Sequence, residues 1–258
     1  MLQTHHPNSK HKNKSLDWFP TDTEELFNEN YHTRRQELED NGWLNRKIKY
    51  QFDDLGFRKQ LKKDFEKDIL FLGCSYTFGI GINYEDSFTN IVADALGMNN
   101  INWAIPGSSN DTAFRLCQQY MQKKMPSTVI LNSPSPYRLE LFSEWDGKHQ
   151  SHNILPFQRW GEPILRSTNF ECPIEFFDEK VSQLNREKNI LAIEMLCVRN
   201  KIKFLNVNTE DMIIEDLGRD LAHPGVKSNQ KFAEIILKSL SRQIKTSALL
   251  TLLRCKDY

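Results

Sequence analysis

No run of apolar residues in this chain approaches the roughly 20 needed to cross a bilayer, so a membrane-spanning helix is not expected. An excess of either charge is missing too. Lys+Arg and Asp+Glu both number 34, for a formal net charge of 0. That removes the bulk attraction for phosphate on which non-specific nucleic-acid binding depends. The one charge-rich stretch, 59–67, mixes both signs and reads as a solvated face. Paired Cys-x-x-Cys spacing is also absent. The five cysteines, Cys74, Cys117, Cys172, Cys197 and Cys255, are odd in number and widely spaced. Reduced thiols are expected, and no zinc site. His5, His6 and His11 have no acidic or cysteine partner nearby, so residues 1–16 read as a disordered tail rather than a metal site. Met1–Ser15 holds no apolar core of the kind a secretory signal requires. No membrane or nucleic-acid partner is expected, and lack of such a signal suggests a cytoplasmic location.

What is present is enough for one large α/β domain with an extension: 258 residues. Residues 1–66 read as a tail and an extension packed on a core domain of residues 67–258. Within the extension, Thr21-Asp22-Thr23-Glu24 has the form of a capping box, and a helix is expected from there to about Asp40. Lys49–Phe52 alternates as a short strand does. Trp18, Phe27, Trp43 and Phe57 call for burial. The core then alternates. Strands are expected at 68–72, 101–104, 128–131 and 203–207. Helices are expected at about 87–96, 110–124, 176–199 and 228–244. This order argues for a mostly parallel sheet with helices on both faces, a three-layer α/β/α sandwich. Residues 133–172 show no steady period and form a long insertion. It carries Trp145, Phe157 and Trp160 with Arg138, Arg159 and Arg166. Because it follows the third core strand, it is expected to wall the cleft at the sheet's carboxyl edge.

The chemistry concentrates at two places. Asp68-Ile69-Leu70-Phe71-Leu72 is a buried-strand pattern ending at Gly73, and it delivers Ser75 to the edge where open α/β sheets place ligands. Far along the chain, Asp220-Leu221-Ala222-His223-Pro224-Gly225 supplies an acid three residues before a histidine. Serine, histidine and aspartate are the parts of an activated hydroxyl nucleophile. The plainer alternatives are a turn serine, a helix-start histidine and a loop carboxylate, with Asp216 as a second candidate acid. Cys74 beside the serine should point to the opposite side and face the core. A phosphate-cradling loop counted from Gly73 fails because Phe78 stands where its second glycine is needed and Ile80 where its serine or threonine is needed. A dinucleotide fingerprint from Gly79-Ile80-Gly81 fails because position 84 is Tyr84.

With these residues in hand, the chain resembles the SGNH (GDSL-like) hydrolases over about residues 67–242. Gly73-Cys74-Ser75 is similar to their first motif, with cysteine in place of the usual aspartate. Asn102-Trp103-Ala104-Ile105-Pro106-Gly107 is similar to the second, and Asp220 to His223 matches the last. The third, Gly-x-Asn-Asp, is absent, since the strand 128–131 runs into Asn132-Ser133-Pro134-Ser135-Pro136. The first motif and Asp54-Leu55-Gly56-Phe57-Arg58 look like members encoded by bacteriophages, a resemblance that implies virion association as the other expected location. The resemblance implies a flavodoxin-like fold and an esterase or deacylase that needs no cofactor or metal. Its substrate would be an acyl group on a carbohydrate. It implies Ser75 as nucleophile, His223 as base and Asp220 as the acid that orients it. Ser75 and Gly107 would serve the oxyanion, with Asn110 as a third donor. Asn110 also suits a helix N-cap, Gly107 an ordinary turn, and Asn132 is the other candidate donor. The missing motif leaves an alternative, an SGNH-like binding or virion structural protein with weak or no catalysis.

Overall fold

The computed structural model describes residues 6–60, 63–145, 148–154 and 178–254. Its first ordered part begins earlier than the composition suggests. Residues 6–16 are structured, not disordered: a 3-10 turn spans Pro7–His11, and strand β1 (Ser15–Leu16) follows. Aromatic contacts supply the burial that the polar sequence hides. The His6 ring stacks on Phe57 at 4.4 Å, and His11 lies against Phe19 and Phe52.

The expected single helix after Pro20 is two, α1 (Glu24–Thr33) and α2 (Arg35–Asp40), divided at Arg34, which leaves helical geometry at φ −134°. The capping box is not formed either. Thr23 is the cap, its hydroxyl accepting the Leu26 N–H at 3.2 Å, so Thr21 and Asp22 are released for other bonds. Strand β2 (Tyr50–Gln51) pairs antiparallel with β1. Trp43, Tyr50, Phe52 and Phe57 are fully or almost fully buried.

The core sheet has four parallel strands: β3 (Asp68–Leu72), β4 (Asn99–Asn102), β5 (Thr128–Ser133) and, later in the chain, Lys203–Asn208. Short helix α3 (Ser75–Phe78) and helix α4 (Phe88–Ala95) lie between β3 and β4, and α5 (Asn110–Lys123) precedes β5. After β5 comes an antiparallel hairpin, β6 (Leu139–Trp145) and β7 (Lys148–Ile154), inside the segment expected to be irregular. The chain continues through α6 (Glu179–Arg199), then Lys203–Asn208 as β8, and α7 (Val226–Arg254). Strand order is β4-β3-β5-β8. Strand β4 starts two residues earlier than expected, in register with Asp68, and α7 continues past Ile244.

Apolar alternation along β3 explains the three layers. Ile69 and Phe71 face α4 and α7 through Phe88, Val92, Phe232 and Ile236. Leu70 and Leu72 face α5 and α6 through Leu116, Cys117, Ile193 and Cys197. A strand buried on both faces must be apolar at every position, and this one is from Ile69 to Leu72. Among the described residues, no helix is long and apolar enough to cross a membrane.

Candidate active site

Because the four core strands are parallel, the loops that follow them leave at one edge of the sheet. Ser75 follows β3, Gly107 follows β4, and the β6–β7 hairpin starts six residues after β5. Asp220 and His223 lie in the loop after β8.

Ser75 is the first residue of α3, so its N–H has no intrahelical acceptor. The turn into α3 needs glycine. Gly73 has φ +153°, and a β-carbon there would lie 2.8 Å from the Asn132 carbonyl oxygen and closer still to Thr77. The Gly73 carbonyl accepts from Ile105 N–H at 3.1 Å and from the Ser108 hydroxyl at 2.9 Å, which ties the serine turn to the loop after β4. Gly73→Ala is expected to cost about 1–3 kcal/mol, measured by urea unfolding.

Asp220 and His223 form the clearest unit. Asp220 Oδ2 is 2.5 Å from His223 Nδ1, while Oδ1 accepts the backbone N–H groups of Ala222 at 3.1 Å and His223 at 3.0 Å. The tight turn puts Leu221 at φ +51°. Burial alone would raise the Asp220 carboxyl. The His223 ring and the two N–H groups outweigh it and hold the carboxyl below its ordinary value. A carboxylate on Nδ1 keeps that nitrogen protonated and leaves Nε2 as the basic one.

The serine turn and this loop touch. The Tyr76 ring, next to Ser75, meets the His223 ring edge-on with centroids 5.7 Å apart. The Arg219 N–H donates to the Gly81 carbonyl at 2.9 Å. Among the described residues, Ser75 Oγ makes no hydrogen bond, to His223 or to any other group. The structure thus brings Asp220 and His223 into contact and places the Ser75 turn against them without closing the serine–histidine bond. Such bonds are often loose before substrate binds.

Other candidates are placed as follows. Gly107 has φ +77° and faces open space, and its N–H finds no acceptor among the described residues. Asn110 is buried at the start of α5, but the cap is Ser109, and the Asn110 amide donates to the Pro134 carbonyl at 3.1 Å. Asn132 is buried, with its amide on Thr77 Oγ1 at 3.1 Å. Asp216 is occupied at the start of α7, accepting from the N–H groups of Lys227 and Ser228. Cys74 is buried. Arg138 reaches the Ser108 carbonyl at 3.4 Å. Phe157, Arg159, Trp160 and Arg166 lie outside the described residues, as does the side chain of Trp145.

A set of residues from the extension was not visible as part of the site. Thr21 Oγ1 donates to Asp220 Oδ2 at 3.0 Å. Arg219 pairs with Asp22, Nε to Oδ1 at 2.9 Å and the terminal nitrogen to Oδ2 at 2.8 Å. The Tyr50 hydroxyl donates to Asp22 at 2.5 Å and accepts the Gly81 N–H at 2.8 Å. Burial, with Asp22 beside it, pushes the Tyr50 phenol well above its ordinary value, so it remains a donor. The only sequence signal was the row of polar residues after Pro20, which a helix cap also explains.

No family model matches the chain, and no curated protein matches it. Among solved structures it is similar to a lipolytic protein of the G-D-S-L family from Veillonella parvula, at 15% identity and a TM-score of 0.36, over 68% of this chain and 99% of that one. It is similar to the psychrotrophic esterase EstA from Pseudoalteromonas sp., at 13% identity and a TM-score of 0.37, over 70% of this chain and 100% of that one. It is also similar to an acetyl xylan esterase from Butyrivibrio proteoclasticus, at 15% identity and a TM-score of 0.42, over 72% of this chain and 66% of that one. At these values no residue role is transferred from them.

Proposed function

We propose that the chain is a serine esterase or deacylase of SGNH type. Ser75 Oγ attacks the ester carbonyl carbon while His223 Nε2 takes its proton, and Asp220 holds the ring through Nδ1–H. The N–H groups of Ser75 and Gly107 hold the oxyanion. Collapse expels the alcohol, protonated by His223. Water, deprotonated by His223, then cleaves the acyl-serine and restores the hydroxyl. The observation that carries this reading is the 2.5 Å Asp220–His223 contact at the same sheet edge as the Ser75 turn. From the family resemblance, the substrate class is a small acyl group on a carbohydrate. The insertion at 133–172 sets the choice of ester. No cofactor takes part.

The test is turnover of p-nitrophenyl acetate, butyrate and octanoate and of an acetylated oligosaccharide. Asp220→Asn is expected to lower kcat by about a thousandfold or more, because it favours the wrong histidine tautomer. Hydrolysis that Asp220→Asn leaves unchanged would remove His223 from the reaction.

A second reading has its own observation. The amides of Asn110 and Asn132 are bonded to Pro134 and Thr77, and one lost oxyanion donor typically costs about a hundredfold or more. A protein that binds these esters without turning them over would be an SGNH-like binding or virion structural protein.

A further inference from the structure

We infer that the N-terminal extension is part of the catalytic apparatus and that Thr21 is a positioning residue for the Asp220–His223 pair. This inference rests on the esterase reading and adds a residue to it. The Asp220 carboxylate accepts four hydrogen bonds. Three come from Ala222 and His223, within three residues of the acid. These fix the shape of the turn, yet a turn bonded only to itself can pivot as a unit. The fourth comes from Thr21, 199 residues away, and it lands on Oδ2, the oxygen that faces His223 Nδ1. A hydroxyl at that point sets the plane of the carboxylate, and through it the direction of Nε2.

The neighbouring bonds hold the two partners in the same frame. Arg219, beside Asp220, is clamped by the Asp22 carboxylate and the Asp17 carbonyl, and its guanidinium lies over the Trp18 ring at 3.8 Å. Trp43 Nε1 donates to the Leu217 carbonyl at 2.8 Å, and the Leu217 N–H donates to Asn41 at 2.7 Å. On the serine side, Arg58 donates to the carbonyls of Phe78, Gly79 and Ile82, and Tyr50 accepts from Gly81. One element thus grips the loop after Ser75 and the loop carrying His223 together. The distance between the nucleophile turn and the base is set from outside the sheet.

The decisive experiment compares Thr21→Val, which keeps the shape and removes the hydroxyl, with Thr21→Ser, which keeps the hydroxyl. In the full chain, Thr21→Val is expected to lower kcat for p-nitrophenyl acetate about tenfold with KM within twofold. It should also shift the proton NMR resonance of His223 Nδ1–H. Thr21→Ser should restore both. Unchanged kcat and an unchanged resonance in Thr21→Val overturn the inference, as does a loss that Thr21→Ser fails to rescue. If Thr21→Val does not fold, Thr21→Ala is read in the same way. If the unaltered protein hydrolyses no ester, the esterase reading fails by itself. The resonance then still decides whether Thr21 positions the pair.

Discussion

On the esterase reading, Ser75→Ala is expected to lower ester turnover by about a thousandfold or more in kcat and to leave the melting temperature close to that of the unaltered protein. The size of the loss follows from the role. Without the hydroxyl no acyl-enzyme forms, and what remains is the residual rate from binding and oxyanion stabilisation. The small effect on stability follows from the contacts, because Ser75 Oγ contributes no hydrogen bond among the described residues and alanine fits the same space. Turnover of p-nitrophenyl acetate and a thermal melt on one preparation check both halves. Activity that survives in Ser75→Ala would place the nucleophile elsewhere, and Cys74, buried as it is, would be the next residue to change.

Asp22→Ala gives the largest expected loss of stability. The Arg219–Asp22 pair is almost completely buried, with side-chain exposures of 5% and 1%. Removing the acid leaves a guanidinium without its counter-charge in a dry place and takes the acceptor from Tyr50. Breaking such a pair typically costs about 3–5 kcal/mol, which for a domain of this size is a fall of roughly 10 °C in Tm. The exposed Arg34–Glu37 pair is the control. Glu37→Ala should leave Tm nearly unchanged, since solvent screens that pair. A melt in which the two variants behave alike would mean the Asp22 pair is not desolvated as described.

The parts of this protein that could be read from the sequence are those whose cause is local. Ile69 to Leu72 announces a doubly buried strand because both faces of one short segment are apolar. Asp220 and His223 announce a pair because an acid three residues before a histidine can fold back on it. The start of α4 was legible because Ser87 sits before a helical run and caps it, whereas at α5 the cap is Ser109 and not Asn110, the residue the sequence offered for it. What could not be read depends on partners far away. Thr21 and Asp22 resemble any helix start until Arg219 and Asp220 are beside them. His6 looks like tail composition until Phe57 supplies a face to stack on. The hairpin from Leu139 to Ile154 alternates only in part: Leu139, Leu141 and Trp145 are spaced by Glu140 and Glu144, but Lys148–Ile154 is polar up to its last residue. Its base is fixed instead by Glu140, whose carboxylate pairs with Arg115 in α5 at 2.6 Å.

The Arg219–Asp22 and Thr21–Asp220 bonds, spanning 197 and 199 residues, also put the site on a clock. A ribosome adding about 5–20 residues per second makes Asp22 roughly 10–40 s before it makes Arg219. By the end of that interval the extension, the serine turn and most of the sheet can exist, but the base and the acid have not been synthesised. Asp22 stays hydrated, and Gly81 has nothing from the later loop to hold. Contacts this distant in sequence form late in folding as well, since local ones close first. On the esterase reading, the pair proposed to activate Ser75 is the last part of the site to be made, and a product interrupted before Asp220 carries Ser75 without it.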